Sequence, residues 1–318
     1  MKNKNNLIET PEDLTLYQIS ERFATEDAAF KYWEAIYWPD GPVCPHCKNA
    51  KAERIFKLKP NLEKKIRHGL YHCGECQKQF TAKIGTIFEG SHIPLQKWLI
   101  AWYMICSSKK GVSSLQLQRS LSIGCYRTAL FMCHRIRYAL QDPVFKTKLM
   151  GTVEVDETYV GGKKRGMGRR YTGNKTPVVA LLERNGRVRS SVMPRVNGRN
   201  LKAVMEKNIT PKSTIMTDQY PAYRKAARRF AKHETVNHSA REYVRGLAHT
   251  NGVESNFSLL KRGVIGTFHS LSAHRLPLYL AEFDHRHNTR HMTDGQRTVA
   301  GLKKAGKKKV LYREHMSR

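Results

Sequence analysis

Acidic residues are scarce in this 318-residue chain: 26 Asp and Glu stand against 57 Lys and Arg, a formal charge of +31. An excess of that size is more than a solvated face and points to a polyanion, of which nucleic acid is the commonest. Long apolar runs are missing too. No stretch approaches the ~18 residues of a membrane span, and the opening MKNKNNLIETPEDL is polar, without the apolar core of an export signal. A membrane-binding protein is therefore set aside and a cytoplasmic one expected. Also absent are a coiled-coil pattern and a thioredoxin-like βαβ setting for cysteine. With disulfides disfavoured in a reducing compartment, the seven cysteines need another use.

Four of them stand in VCPHC and HCGEC: Cys44, Cys47, Cys73 and Cys76, with 25 residues between the pairs (73 − 47 − 1). Each CxxC makes a tight knuckle that turns both sulfurs inward, and two knuckles complete a tetrahedral thiolate site for one structural Zn2+. His46 and His72 lie beside these ligands, but four thiolates are the simpler set. Phe56 and Leu58 before Pro60, and Ile66 to Tyr71 after it, suit two strands of a zinc ribbon over residues 41–90. Gln79 to Thr81 and Gly85 to Phe88 read as its closing strands. Ahead of the ribbon, residues 1–40 form a helical segment, with Thr25 as N-cap, Glu26 and Asp27 in the first turn, and Phe30, Trp33 and Tyr37 at helical spacing.

Behind the ribbon, residues 91–148 read as a helix-turn-helix region. One helix ends near Leu121, Ser122 to Gly124 turn the chain, and a second helix buries Ala129, Cys133, Ile136 and Leu140. Arg127, His134 and Arg137 fall off that stripe. Tyr126, Arg127 and Thr128, at the start of the second helix, are the residues expected to reach bases in the major groove. Cys106, Cys125 and Cys133 read as small core residues.

Residues 149–290 alternate differently: three strands (VEVDETYV, PVVALLE, RVRSSVMP), a helix, a strand (STIMTD), a helix, a short strand and two helices. That is the order of a ribonuclease-H-like α/β domain with a mixed sheet, so the whole chain reads as an α+β multidomain protein. Three acids fall at telling places in it: Asp156 on the first strand, Asp218 on the fourth and Glu254 on a late helix, the last two separated by 35 residues (254 − 218 − 1). Glu254, Ser258 and Lys261 share one face of that helix, opposite an apolar face of Val253, Phe257 and Leu260. Convergent carboxylates suit a pair of Mg2+ or Mn2+ ions and phosphodiester chemistry. Between the first two strands, GGKKRGMGRRYTGNK places Lys163, Lys164, Arg165, Arg169 and Arg170 where they would contact a DNA backbone, and residues 291–318 form a further basic tail.

DETYVGGK, TDQYPAY, HTNGVESNFSLLKRGVIGTFHSL and YLAEFDHRHNTR together resemble the catalytic domain of the ISXO-type insertion-sequence transposases. The similarity spans nearly the whole chain. The resemblance implies a zinc ribbon and helix-turn-helix ahead of a ribonuclease-H-like domain, and catalysis by Asp156, Asp218 and Glu254, with Lys261 as the basic residue after the last acid. It also implies double-stranded DNA as partner, both element ends and target, a homo-oligomer on DNA, and work at the prokaryotic nucleoid. Some members of that group carry Asn as third ligand, and Asn251 and Asn256 flank Glu254; Glu254 is assigned because it bears charge two turns before Lys261. Asn256 also stands where an aromatic often precedes the Phe. Two rivals share these residues: a nuclease that cuts without joining, and a DNA-binding regulator that has lost catalysis.

Overall fold

A computed structural model describes residues 15–61, 63–141, 147–162, 173–237, 244–246, 249–306 and 308. The chain divides into two compact units, one of residues 1–108, 114–140 and 292–318, the other of residues 109–113 and 141–291. The basic loop residues Lys163, Lys164, Arg165, Arg169 and Arg170, and most of the basic tail, lie outside the described residues.

The first unit begins with α1 (Leu16–Arg22) and α2 (Glu26–Tyr37). Thr25 caps α2 by accepting the Ala28 N–H, as its place before two acids suggests. Glu26 does more than favour its own helix dipole: its carboxylate accepts the N–H groups of Leu95 and Gln96 at 2.8 and 3.1 Å, capping α3 (Leu95–Ser107). The ribbon is a three-stranded antiparallel sheet of β1 (Ile55–Lys57), β2 (Tyr71–Cys73) and β3 (Gln79–Phe80). Residues 85–88, expected as a strand, are not one. Their backbone closes successive turns, Thr86 N–H to Lys83 and Glu89 N–H to Thr86, and Phe88 enters the helical core edge-on to Trp33 (4.9 Å) and Trp98 (5.4 Å). The β-forming composition of GTIF serves burial rather than a ladder.

Helices α4 (Ser114–Ser120) and α5 (Tyr126–Leu140) follow α3 in this unit, with Ser122 in the left-handed region between them. The expected burial stripe of α5 is present, but His134 and Arg137, read as lying off it, are buried as well. The helix is packed by α3, α4 and α10 (Asp294–Leu302), so its later turns have no solvent side. Buried Arg135 between them donates to the Glu89 carbonyl at 2.7 Å and covers the Trp98 and Phe131 rings. Cys106 and Cys133 are core residues, whereas Cys125 is exposed. Cys125 sits just ahead of α5, where the backbone N–H groups of Thr128 and Arg127 lower its thiol pKa.

The second unit is built on a five-stranded sheet in the order β6-β5-β4-β7-β8: β4 (Thr152–Val160), β5 (Thr176–Glu183), β6 (Val188–Val192), β7 (Thr214–Asp218) and β8 (Lys232–Val236). β4 to β6 form an antiparallel meander, while β7 and β8 join parallel, so the sheet is mixed. Alternation assigns the faces. Val153, Val155, Val179, Leu181 and Ile215 pack with α6 (Gly198–Asn208) and α7 (Pro221–Ala226). Val178, Ala180 and Leu182 pack with α8 (Asn251–Gly263) and α9 (Leu276–Asn288). α9 also covers the free edge of β6: Asp284 accepts from the Ser190 N–H and hydroxyl, and Asn288 exchanges hydrogen bonds with both backbone groups of Val188.

Candidate active site and metal centre

The two cysteine knuckles are built alike. Lys48 donates its N–H to the Cys44 carbonyl and Gln77 to that of Cys73; both Lys48 and Gln77 adopt positive φ, so each chain doubles back directly behind its second cysteine. The result brings Cys44, Cys47, Cys73 and Cys76 Sγ atoms within 4.8 Å of one another, the one such ligand group among the described residues. His46 and His72 are not part of it. The backbone N–H groups of Cys76 and Glu75 draw the Cys73 thiol down to about 6, toward the thiolate that binds metal. Four soft ligands clustered this closely fit a zinc ion.

The three acids lie in the second unit. The parallel register pairs Glu154 with Met216, and Asp156 and Asp218 are each two residues further on, so both point to the sheet face that α8 covers. On α8, Val253, Phe257 and Leu260 are buried, Ser258 and Lys261 are exposed, and Glu254 is partly exposed. Glu254 Oε1 accepts the Thr250 hydroxyl at 2.8 Å. Asp218 Oδ1 accepts the Tyr220 N–H at 3.0 Å in the turn that starts α7. Asp156 Oδ1 accepts the Glu157 N–H at 2.8 Å. Burial, together with the negative charges of Glu157, Asp218 and Glu254, pushes the Asp156 carboxyl up to about 7. These oxygens do not gather as tightly as the thiolates do. Of the two alternatives for the third acid, Asn251 is exposed at the start of α8 and Asn256 is buried.

Two residues of VEVDETYV that the spacing of acids did not single out contribute to this region. Glu157 faces away from α8 and accepts a hydrogen bond from Tyr223 of α7; burial raises its pKa. Glu154, only 1 % exposed, is the deeper of the two. α8 has no side-chain cap of its own, and Glu154 supplies one from the neighbouring strand, accepting the Val253 N–H at 3.1 Å. Its other oxygen meets Arg184 at 3.1 Å and His249 Nδ1 at 3.2 Å. Gly252 makes the approach possible, since a Cβ there would stand 2.8 Å from Glu154 Oε2. Glu154 and Asp156 lie on one face of β4, so one strand both anchors the helix that carries Glu254 and presents the acid that Glu254 approaches. The alternation of acids in VEVDE was the signal; no spacing rule reads a strand residue as a helix cap.

At the start of α5, Tyr126 is 49 % exposed and Arg127 and Thr128 are exposed too, free of the burial that takes the later turns.

Residues 148–288 match the ISXO2-like transposase domain, and residues 24–79 match the transposase zinc-ribbon domain. The chain is therefore assembled from the domains of a transposase. The larger of the two matches is to the ISXO2-like transposases. Along 287 residues it is 28 % identical to the "Uncharacterized protein in transposable element ISH50" of Halobacterium salinarum, an alignment covering 83 % of this chain and 91 % of that protein.

Proposed function

We propose that this transposase hydrolyses DNA at the ends of its element and joins the freed 3′-hydroxyl to target DNA, using Asp156, Asp218 and Glu254 to hold two divalent ions. The observation that carries this reading is that Asp156 and Asp218 point to the sheet face covered by the helix that bears Glu254, where burial and the neighbouring acids push the Asp156 carboxyl up to about 7. Carboxylates packed so that one resists ionising are a site that favours added positive charge. Their hard oxygens suit Mg2+ or Mn2+. A ligand set that would be shared between two ions need not close as tightly as a single-ion cluster. When bound, such ions supply an activated water and charge stabilisation of the leaving oxygen.

The chain's own groups prepare that chemistry. Thr250 orients the Glu254 carboxylate, the turn at Tyr220 orients that of Asp218, and Glu154 sets the start of α8 against β4. Lys261, exposed in the last turn of α8, would hold a phosphate. In the first step water attacks phosphorus, a P–O bond breaks, and the 3′-oxygen leaves as a hydroxyl. In the second step that hydroxyl attacks a target phosphate and displaces a target 3′-oxygen. One phosphodiester is exchanged for another, so neither ATP nor a covalent protein intermediate is needed. Tyr126, Arg127 and Thr128 read the element end in the major groove, and the protein acts as an oligomer on paired ends in the cytoplasm.

The test is a linear fragment bearing the element's own ends, incubated with the protein and Mg2+ or Mn2+, with a plasmid as target. Nicking at the ends followed by joined product is expected. Nicking without joining reduces the protein to a nuclease, and metal-independent binding with neither reduces it to a regulator.

A further inference from the structure

On the sheet face opposite Glu254, α6 and α7 enclose an open groove of about 840 Å³. Five cationic side chains line it, Arg199, Lys202, Lys225, Arg228 and Arg229, against one acid, Glu206. The walls are rigid. Leu201 and Met205 of α6 share a core with Tyr223 and Ala226 of α7 and with Phe230 behind it. The helices also approach closely, since a Cβ on Gly198 would stand 3.3 Å from the Ala222 carbonyl. The cations therefore project from packed backbone, and only their side chains are left for a ligand to order.

Their pairing is lopsided. Glu206 holds Arg229 at 3.2 Å and Lys202 at 3.9 Å. Arg199, Lys225 and Arg228 are exposed and have no carboxylate partner among the described residues. A stable fold gains nothing from three uncompensated cations set around one groove, and they repel one another. A polyanion relieves that repulsion, and the width of an open groove suits a backbone of repeating phosphates better than a small enclosed anion. The start of α6 (Asn197 to Arg199) lines it together with the cations, a setting for phosphate oxygens, so the contact carries position rather than sequence.

We propose that this groove binds the phosphates of a second duplex DNA segment, the target into which the element end is joined. The proposal rests on the transposition reading above for the name of that duplex, and on the groove alone for its binding. Phosphate contacts accept a duplex whatever its sequence.

The test compares the full-length protein with the triple variant Arg199→Ala, Lys225→Ala, Arg228→Ala and with a charge-keeping control, Arg199→Lys, Arg228→Lys. Binding to a random-sequence duplex is followed across a salt series. Each lost phosphate contact flattens the slope of log K against log[salt] by about 0.9, so the triple variant should lose about 2–3 units of slope. The control should keep most of it. In the joining assay, the ratio of joined to nicked product should fall at least about tenfold, with circular dichroism showing an intact fold. Unchanged affinity and slope, or a nicked-to-joined ratio equal to that of the parent, overturns the proposal. The binding arm needs no catalysis, so it judges the groove even if the protein proves unable to cut.

Discussion

Glu154 and Glu254 should respond to neutralisation in opposite ways. Glu154 is buried, caps α8 and balances Arg184, so Glu154→Ala leaves a half-buried cation and a bare Val253 N–H and should cost about 1–3 kcal/mol, measured by urea denaturation. Glu254→Gln removes a charge that repels Asp156 and should leave stability unchanged or raised, while nicking and joining fall by orders of magnitude. If both variants unfold alike, the acid cluster is structural and the catalytic assignment fails. Asp156 adds a pH signature to the protein studied without Mg2+ or Mn2+. Its folded pKa is raised from 3.8 to about 7, so the native state keeps a proton that the unfolded state releases. That contribution is fully present below the unfolded value and is lost as pH rises toward about 7, flattening beyond it. Urea midpoints taken between about pH 4 and 8 should show a steeper decline for the parent than for Asp156→Asn. Parallel curves would mean that Asp156 ionises normally.

At the scale of elements, the cysteine knuckles and the start of α5 make separable demands. Structural zinc supplies roughly 10–16 kcal/mol of apparent binding energy in small domains, so Cys73→Ser should release the metal and unfold the ribbon, seen as lost zinc by elemental analysis. The β4–β8 sheet should keep its cooperative melt. Arg127→Ala should cost about 1–3 kcal/mol on the cognate end and little on random duplex; equal losses would make Arg127 a backbone contact. How far such elements were legible differs by cause. Paired CxxC units, the Thr25 cap and the strand order of residues 152–236 were readable because local spacing and alternation decide them. Residues 85–88 were misread because the composition of a strand also suits a buried turn. Arg137 was misread because the sequence of α5 shows one face, and three other helices decide the rest. Glu154 was missed because its partner, the start of α8, lies about a hundred residues away. No local rule reaches that far.

For the whole molecule, a charge of +31 makes affinity for duplex DNA a function of ionic strength. With six or more phosphate contacts, binding to random duplex should fall about a thousandfold or more between about 50 and 200 mM salt. A flat salt response in filter binding would remove the electrostatic footing of the entire reading. The path of the chain has a further consequence. The unit that holds the cysteine cluster is closed by its most distant segment, since α10 packs on α3 and the Ala305 carbonyl accepts the Ile87 N–H. The α10 residues leave the ribosome after the other helices and strands described, and until then α3 lacks the neighbour it packs against. A ribosome that stops before Asp294 releases a chain whose cysteines and α5 are all present, yet whose first unit cannot complete its core. Completion of that unit is therefore coupled to the last helix of the chain, and a truncation ahead of Asp294 should expose the face of α3 that α10 covers.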